Sequence, residues 1–101
     1  GRAQKARGRQ VLNEAHPGVL VYHSNWCGYC ARARRLLESK GVEARFRDVD
    51  MEPGARDEML ELTGRRTVPQ IFVGSRHIGG CDELFELDQS GELDRILQEP
   101  A

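Results

Sequence analysis

No apolar run in the 101-residue chain is long enough to span a membrane, and no charged-then-apolar leader opens it. These two absences predict a cytoplasmic protein with no membrane partner. Net charge is nearly absent, at -1, beside 39% hydrophobic and 31% charged residues. That balance excludes the disordered class and describes an ordinary globular chain. Cysteine is scarce as well. Three are present, and an odd number argues against a secreted disulfide scaffold. Repeats, linkers and low-complexity segments are missing, so one domain with a modest core is expected.

Charge is uneven along the chain. Arg2, Lys5, Arg7 and Arg9 open it with no acid among the first nine residues. From Asp82 onward there are seven acids and one base, Arg95. Residues 1–16 read as a basic arm, either poorly ordered or carrying a short helix around Val11, Leu12 and Ala15. The arm has no aromatics to interleave with bases, so nucleic acid is not an expected partner. The domain proper is expected over residues 17–101.

Val19-Leu20-Val21-Tyr22 is a compact apolar run bounded by turn residues and predicts a buried strand. A helix is expected from Cys27 to about Lys40, with Cys30, Ala33, Leu36 and Leu37 on one face and Arg32, Arg34 and Arg35 outside it. Gly41 suits its end. Arg45 to Val49 alternates as a second strand. Pro53 suits the first turn of a second helix, with Ala55, Met59 and Leu62 inward and Gly64 at its end. Val68 to Val73 reads as a strand, Gly74-Ser75 as a hairpin turn, and Arg76-His77-Ile78 as the return strand. A helix then carries Leu84, Phe85 and Leu87. Ser90 is the expected cap of a last one, with Leu93, Ile96 and Leu97. The order predicts an α/β fold: a four-stranded mixed sheet flanked by helices, its first two strands parallel and its last two an antiparallel hairpin.

Cys27-Gly28-Tyr29-Cys30 falls where a strand hands over to a helix. Unpaired first-turn N–H groups and the helix dipole place positive charge there, which favours a thiolate at Cys27. The thiolate is the attacking species in disulfide exchange. Cys30 lies one turn on, within reach and on the inner stripe. Cys27 is therefore the expected nucleophile and Cys30 the resolving thiol. A zinc site needs two further ligands at comparable spacing, and Cys81, His77 and His23 form no paired knuckle. Cys81 reads as a small buried hydrophobe. His77 is expected to face solvent from the hairpin, His16 to lie in a surface loop, and His23 to end a strand beside the site.

Thr67-Val68-Pro69-Gln70-Ile71-Phe72 followed by His77-Ile78-Gly79-Gly80-Cys81-Asp82-Glu83-Leu84 resembles the glutathione site of glutaredoxins, the dithiol bacterial type in particular. The resemblance runs from about Val19 to Leu97 and implies a thioredoxin-like fold. It implies a cis Val68-Pro69 peptide, with the Val68 backbone pairing with the cysteinyl unit of glutathione. Thr67 lies on the same edge. Cys81 and Asp82 would hold the γ-glutamyl end, through backbone N–H groups and the Asp82 carboxylate. Gly79 and Gly80 would allow close backbone approach. Arg65 or Arg66 would meet the glycine carboxylate, and Tyr29 would flank the sulfur. The chain departs from the family's common pattern at Ser24, where many members carry Lys, at Gly28, where many carry Pro, and at Trp26. Arg65, Arg66 or His23 would then take over part of the missing positive charge. Relatives with a small residue at the Gly28 position include ones that hold a [2Fe-2S] cluster between two protomers, each giving its active cysteine and a bound glutathione.

The leading expectation is a glutathione-disulfide oxidoreductase, with glutathione as cosubstrate, no resident metal, and glutathionylated or disulfide-bearing proteins as partners of a monomer. The alternative is a cluster-binding homodimer in which Cys27 ligates [2Fe-2S]. A third reading, a thioredoxin-like reductant recycled by a flavoenzyme, is weakened by the Asp82 motif.

Overall fold

The computed structural model describes residues 18–99. The basic arm, its suggested short helix and His16 lie outside the described residues. Four strands and four helices follow in the order β1 (Val19–His23), α1 (Gly28–Ser39), β2 (Ala44–Asp48), α2 (Ala55–Thr63), β3 (Gln70–Val73), β4 (Arg76–Gly79), α3 (Cys81–Gln89) and α4 (Glu92–Gln98). The sheet order is β2-β1-β3-β4. β1 is parallel to β2 and antiparallel to β3, and β3 is antiparallel to β4.

Alternation along β1 feeds two cores. Val19 and Val21 point to one face with Ile71 and Val73, against Ala33 and Leu37 of α1, Leu84 of α3, and Leu93 and Ile96 of α4. Leu20 and Tyr22 point to the other, with Phe72, Val49, and Ala55 and Met59 of α2. Polar groups fix α2 to this second face. Tyr22 Oη donates to Glu58. Arg47 binds Glu58 at 3.0 Å and Glu52 at 2.7 Å. On the opposite side Lys40, the C-cap of α1, reaches Asp88 at 2.5 Å and Asp94 at 2.9 Å, tying α1 to α3 and to α4.

Several boundaries differ from the sequence reading. β3 begins at Gln70 rather than Val68, because Pro69 has no N–H to join the ladder; the Val68-Pro69 bond is cis. α2 begins at Ala55, after Gly54 turns the chain at φ 82°, so Pro53 precedes the helix. α4 is capped by Gly91 at φ 83°. Ser90 instead closes α3, and its hydroxyl still accepts the Glu92 N–H at 3.3 Å. Leu62 faces outward, 56% exposed. β2 spans Ala44 to Asp48, with Val49 bonded just past its end to the His23 carbonyl at 2.9 Å. Gly41 ends α1 in the left-handed region expected of it, at φ 75°. No helix among the described residues is long and apolar enough to cross a membrane.

Met59 is fully buried and carries the inner face of α2. Met59→Ala is expected to cost about 2–5 kcal/mol, read as a lower urea midpoint with an unchanged slope.

Candidate active site

The strand directions bring three chain ends together. The C-terminal end of β1 and the N-terminal end of β3 meet because these strands are antiparallel. β4 returns to that same edge. Cys27, Pro69 and Gly80 therefore sit side by side at one end of the sheet.

Cys27 is the N-cap of α1. Its backbone is extended (φ -115°, ψ 111°), and its carbonyl accepts the Ala31 N–H at 3.2 Å. Its sulfur accepts the Cys30 N–H at 3.1 Å, in the place a Ser or Asp oxygen takes in an ordinary cap. The geometry offers a negative sulfur a hydrogen-bond donor and the positive end of the helix dipole. The same sulfur lies 3.5 Å from the Val68 carbonyl oxygen. Cys27 is half-buried, and the two cysteines come within 2.8 Å of each other.

Cys30 is buried on the inner stripe of α1. Burial, reinforced by the hydrogen bond to Cys27, pushes its thiol up to about 12. Cys81 is also buried, at the first position of α3, and burial raises its thiol as well. Of the three thiols only Cys27 is partly open.

A cleft of about 300 Å³ opens beside Cys27, lined by Tyr29, Arg65, Thr67, Val68, Pro69, Gly80, Cys81, Asp82 and Glu83. Its size is at the lower end of small-ligand sites. It brings together every sequence-predicted residue of the glutathione site except Arg66, which is exposed and does not line it. Among the three replacements suggested for the missing lysine, Arg65 lines the cleft, whereas the His23 ring packs edge-on against Phe46 with centroids 5.4 Å apart. A side chain at Gly28 would meet nothing within 4 Å, so the residue there is not dictated by packing.

Glu83 escaped the sequence reading of the site. Its carboxylate accepts the Gly80 N–H at 2.6 Å and lies 3.6 Å from Arg65. The Gly80 hydrogen bond holds its carboxyl below the usual range against the opposing effect of burial. The signal was legible as an acid three residues after a helix N-cap. Gly79 is at φ 119°, and a Cβ there would sit 2.8 Å from the Glu83 carboxylate. At Gly80 a Cβ would be 3.3 Å from the Pro69 carbonyl oxygen. Both glycines therefore keep the chain close around the cleft.

His77 is also placed differently from expectation. It does not face solvent: its ring is half-buried against Phe72, centroids 5.0 Å apart, and its Nε2 lies 2.7 Å from Gln70 Oε1. The hairpin register sets His77 opposite Phe72 on the α2 face. No group of three or more metal-ligating side chains assembles among the described residues.

A half-buried cysteine capping a helix, a buried second thiol one turn later and an adjoining cis-proline loop on a four-stranded mixed sheet define a thioredoxin-fold thiol-disulfide oxidoreductase. The family model for glutaredoxin matches residues 19–78. The chain is 48% identical over 80 residues to Glutaredoxin 3 of Escherichia coli, covering 79% of this chain and 96% of that one. It is 44% identical over 81 residues to Glutaredoxin of Pseudomonas aeruginosa, covering 80% and 96%. A crystal structure of a buckwheat glutaredoxin–glutathione complex superposes with a TM-score of 0.74 at 34% identity, covering 91% of this chain and 84% of the other. The chain belongs to the glutaredoxin family.

Cys30 is buried and its thiol is raised, so its thiolate is disfavoured at mildly alkaline pH. Brief iodoacetamide treatment of the native reduced protein is expected to label Cys27 alone. Intact mass and peptide mapping would read a single adduct, and three adducts after denaturation.

Proposed function

We propose that the chain is a glutathione-dependent oxidoreductase acting on glutathione mixed disulfides and protein disulfides. The observation that carries this reading is the cleft beside Cys27, whose Val68 carbonyl lies 3.5 Å from the sulfur. Glutathione is an extended tripeptide with two carboxylates, one ammonium and a central thiol. The cleft offers a complement to each. Arg65 meets the glycine carboxylate. The Val68 backbone pairs with the cysteinyl unit, next to Thr67, and Tyr29 flanks the sulfur. The γ-glutamyl carboxylate takes the backbone N–H groups of Cys81 and Asp82 at the start of α3, where the helix dipole also favours an anion. The Asp82 carboxylate pairs with the ammonium. In the buckwheat relative the bound molecule is glutathione.

The chemistry follows from the access of the two thiols. The Cys27 thiolate attacks the glutathione sulfur of a mixed disulfide. A Cys27–glutathione disulfide forms, and the protein thiolate leaves and takes a proton from solvent. A second glutathione thiolate then attacks the glutathione sulfur held on Cys27. Oxidised glutathione departs, and the Cys27 thiolate returns. Cys30 supplies the other route by attacking Cys27, releasing glutathione and leaving a Cys27–Cys30 disulfide for two glutathiones to reduce. Burial raises the Cys30 thiol and disfavours its thiolate, which favours the route through the second glutathione. Cys27→Ser is expected to abolish turnover in a coupled thiol-transfer assay. Cys30→Ser keeps reduction of glutathione mixed disulfides and loses reduction of protein disulfides. Wild-type turnover by the Cys27→Ser protein would remove the assignment.

A second reading is favoured by one observation. Trp26 is 95% exposed and Tyr29 59% exposed, so large aromatic surface flanks the partly open sulfur of Cys27. A [2Fe-2S] cluster takes four sulfur ligands, and one chain offers a single accessible one. Two copies with two glutathione thiols complete the set. Anaerobic reconstitution with iron, sulfide and glutathione is expected to yield a brown dimer that bleaches when glutathione is removed. A colourless monomer would rule this reading out.

A further inference from the structure

Gln70 is the only amide or charged side chain that is fully buried among the described residues. An amide taken out of water needs partners at both ends. Its Nε2 donates to the Thr67 carbonyl at 3.1 Å and to the Thr67 hydroxyl at 3.2 Å. A carbonyl only accepts, so the amide nitrogen must face Thr67. Oε1 then faces the other way, toward His77 Nε2 at 2.7 Å. That oxygen also only accepts, so His77 Nε2 must carry a hydrogen. The chain of partners fixes the tautomer of a ring that is itself held against Phe72.

We propose that His77 is a positioning residue for the glutathione cleft, acting through Gln70 on the Thr67-Val68 peptide. The inference rests on the proposed glutathione reading of that cleft. The Thr67-Val68 bond is trans, the cis bond being the next one along. In a trans peptide the C=O and N–H point in opposite directions. Gln70 holds the Thr67 C=O inward, which turns the Val68 N–H away from the sheet and toward the cleft. No hydrogen-bond partner takes that N–H among the described residues. It belongs to the Val68 backbone assigned above to the cysteinyl unit of glutathione. Without a proton on His77 Nε2, Gln70 Oε1 loses its donor and the amide is free to flip. A flipped amide sets oxygen against oxygen at Thr67 and releases the peptide. Burial, with the nearby positive charge of Arg65, disfavours the charged imidazolium, so the neutral Nε2–H ring is the working form.

Nitrogen NMR of the intact reduced protein is expected to find His77 protonated at Nε2. A neutral Nδ1–H ring would overturn the proposal without any mutation. His77→Leu is expected to raise KM for a glutathionylated peptide about tenfold, the scale of one hydrogen bond lost from binding, with kcat within about twofold. The rate of Cys27 alkylation by iodoacetamide should stay within about twofold, since the nucleophile itself is untouched. His77→Gln restores an N–H donor and recovers most of the KM. A purely structural role would instead lower kcat and alkylation together and would not separate the two variants. An unchanged KM in His77→Leu, or equal KM values in both variants, sinks the relay. Should the leucine variant fail to fold, the tautomer in the intact protein decides alone. If the wild-type protein reduces disulfides but shows no saturation by glutathionylated peptide, the cleft reading fails and this inference falls with it. If saturation is seen and His77→Leu leaves it unchanged, only the relay falls.

Discussion

The pairing of β1 with β2 on one side and β3 on the other is the constraint on which the site depends. β1 is parallel to one neighbour and antiparallel to the other. The parallel pairing forces a crossover, which α1 supplies, and the crossover must begin at the C-terminal end of β1. The antiparallel pairing sets the start of β3 against that same end. A sulfur capping α1 and a carbonyl just before β3 are thereby brought to 3.5 Å although 41 residues separate them in sequence. β4 then delivers the N-terminus of α3 to the same edge. The cysteine cap and the cleft beside it are both consequences of strand direction.

Within that frame, two cysteines of the same chemistry are made unequal by depth. Cys27 stands at a helix end, where N–H groups have no backbone acceptor. Cys30 lies one turn further in, where the sheet and α3 exclude water. A helix turn of about 5.4 Å is enough to cross from one environment to the other. The cleft shows the same economy. Its charged groups are few, and Glu83 is tied to the Gly80 N–H. Asp82, beside it, is exposed on the open side of α3.

The sequence revealed what local pattern controls. The alternating faces of the strands, the apolar stripe of α1, Gly41 at its end and the C-x-x-C at a strand-to-helix junction all depend on neighbours within a few residues. Errors arose where a residue had two suitable roles. Pro53 suits a first helical turn, but Gly54 takes a left-handed conformation and delays α2. Ser90 suits a cap, yet Gly91 makes the turn into α4 and the hydroxyl serves from one position earlier. His77 and Gln70 were beyond reach for another reason. Their contact spans the β3–β4 hairpin, whose register shifts between Ile71 and Phe72, and a strand pattern alone does not specify that shift. Glu83 had a readable signature as the acid following a helix start, next to an Asp82 that carries the same charge.

The hydrogen bond from the Cys30 N–H to the Cys27 sulfur has an energetic consequence. It caps α1 most strongly when the sulfur is anionic. A disulfide from that sulfur to Cys30 carries no charge and leaves the first turn of the helix under-capped. Oxidation therefore works against helix stability, and reduction restores it. A helix cap is worth about 1 kcal/mol, which in a two-electron couple is roughly 20 mV. The sign is set by the fold: the capped helix biases the dithiol couple toward a more oxidising potential. One backbone N–H thus links the stability of α1 to the ease with which the protein accepts electrons.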